Sequence, residues 1–231
     1  MKTGNRKSEI GNGFTLIELL VVISIIAILA GLAFPLLRTV KKTQYIKHAT
    51  GEMHQLEAAI ESYKSAHGFY PPSNPGNPLT NQLYYELIGT TNTVTSPQTF
   101  RTLDGEQTLK ATDLTAAFGG VSGLANCSRH DADAESVPAK NFLGEIKSGQ
   151  TQSLQASGWP EPVTLLVTSV NGPDREYQPI PGKQDFNPWR YVSPGVKNPN
   201  SYDLWVQIRI NGETYLICNW NTRVQAGVPL P

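Results

Sequence analysis

Hydrophobic and polar residues are distributed along this chain in three regimes. From Leu19 to Leu37 only Ser24, among 19 positions, carries a polar side chain, and a serine hydroxyl can bond back to its own helix. A run of that length falls in the range of roughly 17–25 residues that crosses a bilayer core as a helix. Beyond Leu37 the pattern becomes periodic. Tyr45, Ala49, Met53, Leu56, Ile60 and Tyr63 recur at spacings of 4, 4, 3, 4 and 3, which is one face of an amphipathic helix. Glu52, Gln55, Glu57, Glu61, Ser62 and Lys64 fill the other faces; Glu57 and Glu61 repel slightly, and Glu61 pairs with Lys64 at i,i+3. Gly68 supplies a stop and Pro71-Pro72 prevents continuation. Together these regimes predict one helix from Phe14 to about His67, roughly 80 Å long at 1.5 Å per residue. Gly31 and Pro35 allow it to bend, and Gly51 weakens it by about 1 kcal/mol relative to Ala.

The third regime is short and mixed. After a turn-rich loop at residues 73–78, Leu79, Leu83, Leu87 and Ile88 predict a short amphipathic helix closed by Gly89. Thr90 to Gly158 is rich in Thr, Ser, Gly, Asn and Ala, and reads as loop and short helices. Pro162 opens a strand-like run from Val163 to Val170, ended by Asn171-Gly172-Pro173. Trp189 to Val192 reads as another strand. Leu204, Val206, Ile208 and Ile210 alternate with Trp205, Gln207 and Arg209, then Asn211-Gly212 leads into Thr214 to Asn221. Asn-Gly between two such runs is a strong hairpin signal, because both residues accept φ > 0. The expected class is α+β: a long helix followed by a small antiparallel-sheet head with a long variable insertion.

Composition narrows the function classes. The chain has 231 residues and a formal net charge of +0, enough for one domain of about 150 residues plus an extended segment. The balanced charge carries no electrostatic footprint for nucleic acid. Cys127 and Cys218 fit no metal spacing; one extracytoplasmic disulfide and two buried thiols both stay open. His48, His54, His67 and His130 form no metal-ligand spacing and read as solvent-facing. Asp131, Asp133 and Glu135 alternate like the start of a calcium loop but lack its glycine and distal glutamate, so they read as a solvated loop. Gly119-Gly120 reads as a flexible joint. Trp159, Trp189, Trp205 and Trp220 read as core or subunit contacts rather than a binding surface. No nucleophile elbow, phosphate loop or dinucleotide fingerprint occurs, and no enzyme is expected.

Three readings of the apolar run compete: a plain signal anchor, a cleaved secretory signal, and an assembly helix. The secretory reading would use basic Lys2, Arg6 and Lys7 and a small-x-small site at Gly31-Leu32-Ala33, before Phe34. It leaves Glu18 unexplained, and a carboxylate at membrane depth costs on the order of 2.5–3.5 kcal/mol. Lys and Arg on both flanks, Arg38, Lys41 and Lys42 on the second, leave orientation open. Gly13-Phe14-Thr15-Leu16-Ile17-Glu18 before an apolar helix resembles the cleavage and methylation motif of type IV pilins and type II secretion pseudopilins. The resemblance implies cleavage between Gly13 and Phe14 by a prepilin peptidase that also methylates the new amine. It implies that Glu18 pairs with the terminal amine of a neighbouring subunit, where a mismatched register would be costly. The alternative is that Glu18 simply favours the helix dipole.

A second resemblance lies near the end. Asn187-Pro188-Trp189, Tyr191, Ser193-Pro194-Gly195 and Tyr202-Asp203-Leu204 are similar to the carboxy-terminal signature of the major pseudopilin. That family binds Ca²⁺ in this loop. Here Asn187 replaces an aspartate and the final Gly-Ala-Asp-Gly is absent, which leaves Asp203 as one carboxylate for a cation wanting 6–8 oxygens; no cofactor is expected. The organisation expected is a cytoplasmic leader at 1–13, a transmembrane and assembly helix at 14–37, its amphipathic continuation at 38–67 and a head at 68–231. The resemblance implies a single-pass inner-membrane subunit with an external head. Its partners would be the peptidase, an inner-membrane assembly platform, other pilin-like subunits and itself. A type IV pilin and a signal-anchored binding or enzymatic domain are the alternatives.

Overall fold

The computed structural model describes residues 14–74, 76–93, 96–129, 137–170 and 177–229, and for residues 33–39 the backbone alone. The leader at 1–13, the turn at Asn171-Gly172-Pro173, and His130, Asp131, Asp133 and Glu135 lie outside the described residues. Helix α1 runs from Leu16 to His67 without a break at Gly31, Pro35 or Gly51. It ends where expected: Gly68 has φ +83°, and its N–H donates to Lys64 O at 2.8 Å, a left-handed closure that glycine adopts without a Cβ penalty. The chain forms two compact units, Met1–Thr43 and Gln44–Pro231. The amphipathic part of α1 therefore groups with the head.

In the second unit Ala49, Met53, Leu56, Ile60 and Tyr63 are buried, joined by Ala59, with Tyr45 packed at the margin. Burying each large side chain contributes about 1.5–3 kcal/mol. The polar face departs from expectation at two points. Glu52 is only 5% exposed. It accepts from Thr168 Oγ1 at 2.8 Å, from the Ser169 N–H at 3.2 Å and from Ser169 Oγ, tying α1 to the chain beyond a strand. Glu61 and Lys64 both turn to Tyr70 instead of to each other. The Tyr70 hydroxyl donates to Glu61 at 3.4 Å, and the Lys64 ammonium sits 4.5 Å from the ring centroid, where a cation–π contact replaces an exposed ion pair.

Helix α2, Leu83–Ile88, is shorter and more buried than its sequence pattern implies. All six residues are buried, including Tyr84, Tyr85 and Glu86, so it has no solvent face. The Glu86 carboxylate accepts from the Ala125 and Asn126 N–H groups, both at 2.9 Å, and from the Tyr63 hydroxyl at 3.1 Å. Tyr85 accepts at its hydroxyl from the Thr164 N–H at 2.9 Å.

The region from Thr90 to Gly158 combines the loop and short helix expected there with short strands that were not expected. Strands β1 (Thr90–Thr93), β2 (Thr99–Thr102), β3 (Thr108–Lys110) and β4 (Cys127–Arg129) form one sheet in the order β3-β2-β1-β4, with β1 and β4 parallel. A short helix of this region, α3 (Ala111–Ala117), starts with the Lys110 N–H donating to Asp113 Oδ2 at 2.9 Å. These strands span 3–4 residues each, too short for alternation to register, and threonine serves them through its β-branched fit to a pleated surface. Gly119 is a close approach, not a free joint: a Cβ there would stand 2.7 Å from Asn74 Oδ1.

Strand β5 (Thr151–Leu154) pairs antiparallel with β6 (Val163–Leu166). The last sheet has the order β10-β9-β8-β7, from β7 (Arg190–Val192), β8 (Asp203–Ile210), β9 (Glu213–Cys218) and β10 (Asn221–Ala226). The hairpin turns at Asn211 and Gly212, with φ of 53° and 81°, as a type I′ loop requires. Strand β10 was hidden in the sequence by its polar composition. Leu204, Val206, Ile208 and Ile210 join the main core, while Trp205, Leu216 and Cys218 form a second cluster with Val192, Trp220 and Val228. Trp189 and Trp205 are buried, and Trp159 and Trp220 partly so. Both cysteines are free thiols.

Burial is the first cause that raises the Glu86 pKa above its ordinary value; its three hydrogen bonds pull the other way. A carboxyl with a raised folded-state pKa adds stability below the unfolded value, near 4.3, and that contribution is lost as pH rises through the folded one. Wild type should therefore lose stability relative to Glu86→Gln from pH 4 upward, by up to about 1.4 kcal/mol per pH unit in the window. Urea unfolding of both proteins at several pH values checks this; a difference independent of pH would refute it.

Candidate assembly site at the helix N-terminus

The head of α1 is held by its own side chains. Glu18 Oε2 accepts from the Thr15 N–H at 2.8 Å and from Thr15 Oγ1 at 2.5 Å, while the Glu18 N–H donates back to Thr15 Oγ1 at 3.4 Å. This is a reciprocal capping box, with Thr15 as the cap and Glu18 three residues on. The signature Thr-x-x-Glu was present in the sequence, and its structural role adds to the assembly role implied by resemblance. Phe14 precedes the cap and is 80% exposed. Gly13 lies outside the described residues.

Beyond the cap, the large apolar side chains from Leu16 to Leu32 are exposed all round, from 45% at Val22 to 82% at Leu16. Ser24, the one hydroxyl, donates to Leu20 O at 2.7 Å and so presents no unsatisfied group to an apolar neighbour. Such a surface exceeds what a water-soluble element leaves uncovered and marks an interaction surface. Among the described residues no helix is long and apolar enough to cross a membrane. The described side chains of the run stop at Leu32, and Ala33 to Leu37 continue it in sequence.

The loop from Ser193 to Asp203 is closed on a carboxylate. Asp203 Oδ2 accepts from the Val196 and Lys197 N–H groups, both at 2.7 Å, and Oδ1 accepts from the Asn198 N–H at 2.9 Å. Asn187 lies elsewhere in the network: its Nδ2 donates to Gln207 O at 2.6 Å, and its Oδ1 accepts from Arg190 at 3.4 Å. Arg190 is buried among neutral acceptors, and burial lowers its pKa. A carboxylate committed to three amides, and an asparagine beside a buried guanidinium, do not fit a hard dication. Among the described residues no three His, Cys, Asp or Glu converge for a metal.

Among the described residues the remaining candidates do not assemble into chemistry. His48, Glu52 and Ser169 meet, but His48 Nδ1 lies 3.4 Å from both Ser169 Oγ and Glu52 Oε1, and the serine hydroxyl reaches the carboxylate directly. A nucleophile, base and orienter would need the two ring nitrogens on different partners. His54 is solvent-facing and 2.7 Å from Glu57. His67 is not solvent-facing: its ring lies 4.4 Å from that of Tyr63 and 5.7 Å from that of Phe142, its Nε2 is buried, and burial lowers its pKa.

The capped, all-round apolar helix followed by a one-sided helix packed on a mixed α+β head defines a pilin-like subunit. Comparison with known proteins agrees. Residues 12–34 match the prokaryotic N-terminal methylation motif. The chain is similar to fimbrial protein EcpB of Eikenella corrodens, 33% identical over 109 residues, which cover 46% of this chain and 68% of that protein. It is also similar to type II secretion system core protein G of Escherichia coli strain K12, 38% identical over 71 residues, 31% of this chain and 49% of that one. The chain thus spans about half of the length of core protein G. No solved structure matches significantly. The chain belongs to the pilin and pseudopilin family.

Replacing Asp203 by Ala should orphan three backbone donors, at about 1–3 kcal/mol each when buried and less where water reaches them. Amide exchange at Val196, Lys197 and Asn198 should then accelerate about ten-fold or more. Gly195→Ala should do the same, because its Cβ would stand 2.6 Å from Asp203 Oδ1 and 2.8 Å from Asn198 O. Unchanged exchange at these amides in both variants would show that the carboxylate does not hold the loop.

Proposed function

We propose that this protein is a structural subunit of a type II secretion pseudopilus, cut by prepilin peptidase after Gly13, methylated at Phe14 and assembled through its apolar helix. The observation that carries this reading is the exposed apolar surface of α1 headed by the Thr15–Glu18 cap. Before assembly that surface is covered by lipid, with a single pass through the inner membrane and the head outside. On assembly it is covered by copies of the same helix, added from an inner-membrane platform. Contacts of this kind are heterologous and do not close, so they build a fibre. In that setting Glu18 offers its carboxylate to the Phe14 amine of a neighbour, and neither charge then lies alone in a low dielectric.

The pseudopilus is favoured over a type IV pilus by the similarity of Asn187 to Leu204 to the major pseudopilin. The pilus reading is kept because the longer of the two matches is to a fimbrial protein. Under either reading the protein works by packing and not by catalysis.

The intact mass of the protein extracted from membranes tests the processing: a chain beginning at methylated Phe14 is expected, and one beginning at Phe34 or Met1 would overturn it. Glu18→Ala should remain processed and membrane-bound, yet enter filaments at least ten-fold less well than wild type in a shearing assay. Wild-type incorporation of Glu18→Ala would leave a signal-anchored domain as the better reading. An image of the filament, short and envelope-confined or long and extracellular, separates pseudopilus from pilus.

A further inference from the structure

Building on the membrane-anchored reading, we propose that a groove at the start of the head unit seats the phosphate headgroup of an anionic phospholipid before assembly. The groove, about 690 Å³, is lined by Gln44, Tyr45, Lys47, His48, Ser169 and Val170. Its polar lining offers an ammonium, an imidazole and an amide as donors, while the Ser169 hydroxyl already donates to Glu52. No carboxylate lines it. Glu52, next to it, is 5% exposed and already accepts from Thr168 and Ser169.

Lys47 is exposed and makes no ion pair with the described residues. The His48 Nδ1 faces Ser169 and Glu52 at 3.4 Å, which leaves Nε2 as the nitrogen open to a ligand. The Tyr45 ring and Val170 give the groove an apolar wall. Cationic and neutral donors beside an apolar wall match a lipid phosphate with its glycerol backbone; tyrosine and lysine are the side chains that settle at the membrane–water interface.

Chain reach selects the lipid over other anions. Gln44 follows Leu37, the last residue of the apolar run, by seven residues. Even fully extended, that tether spans at most about 25 Å. A groove so tethered to a membrane-embedded helix meets headgroups at a high effective concentration, whereas a soluble anion or a second copy must arrive by diffusion.

The test uses the full-length chain in nanodiscs of phosphatidylcholine alone and of phosphatidylcholine with about one-third phosphatidylglycerol. Amine-reactive labelling of Lys47 is read by mass spectrometry against exposed Lys197 in the same molecule. The Lys47 to Lys197 ratio is expected to fall about five-fold in the anionic discs, and the fall should vanish in Gln44→Glu, an exposed change that places a carboxylate in the groove. Equal ratios in both disc types, or protection untouched by Gln44→Glu, would overturn the proposal. Protection in neutral discs on adding about 10 mM inorganic phosphate would overturn the lipid as its source. Protection that depends on the number of chains per disc would overturn it in favour of a second copy. A chain that fails to enter discs at all would instead overturn the membrane-anchored reading.

Discussion

The carboxylate of Glu86 is the point at which the head is joined. Three stretches far apart in sequence meet there: α1 through the Tyr63 hydroxyl, α2 through Glu86 itself, and the Ala125-Asn126 segment through two backbone amides. Asn126 carries the join further, donating from Nδ2 to Glu86 O at 2.7 Å and to Lys140 O at 2.6 Å, and accepting from the Lys140 N–H at 3.0 Å. Desolvating a carboxylate is costly, and three donors must offset it; removing the acid would leave all three uncompensated. Glu52 repeats the solution from α1, against Thr168 and Ser169. The head is therefore fastened to α1 by two buried acids, one on α1 and one on α2, as well as by its apolar face. A head short of apolar residues between Thr90 and Gly158 uses directional polar ties where a larger core would use area.

The two parts of α1 differ in what covers them. Between Tyr45 and Tyr63 the apolar residues keep to one stripe and the same chain buries it. Between Leu16 and Leu32 there is no stripe, because nearly every side chain is apolar and exposed. No single fold of this chain can bury a helix from every side without building a second core around it. Under the proposed function, an environment that surrounds the helix, first lipid and then a ring of identical helices, satisfies the surface with no further sequence. The self-bonded Ser24 hydroxyl is compatible with both environments.

What the sequence made legible follows from the length of each signal. The helix, its end at Gly68, the register of its buried face and the Asn211-Gly212 hairpin were readable because each repeats one physical rule several times or invokes a backbone constraint few residues meet. The sheet of β1 to β4 was not, since strands of 3–4 residues built from threonine show no alternation to count. Glu52, Glu86 and His67 were misassigned or passed over for a different reason. Periodicity reports that a position is polar, not whether its partners lie in solvent or in the head. Asp203 was legible as a residue of interest but not in its role, since three loop amides converge on it only after the loop is closed.

The cap on α1 bears on how assembly can proceed. Both hydrogen bonds that Glu18 accepts from Thr15 fall on Oε2. Oε1 accepts none from the described residues. Under the proposed function, a free subunit enters assembly with its acid already oriented by Thr15 through Oε2. Under the assembly reading, a neighbour's amine can dock on Oε1 while Thr15 keeps Oε2, so the helix end need not fray to make the new contact. That separates two roles which a sequence motif merges: Thr15 fixes the direction of the carboxylate, and Glu18 supplies its charge. A glutamine at position 18 would keep an acceptor for Thr15 yet offer no charge to the amine. An aspartate would keep the charge on a side chain one methylene shorter, changing the reach that the cap sets. On the proposed function, the register of the filament then depends on a local helix cap as much as on the apolar packing that surrounds it.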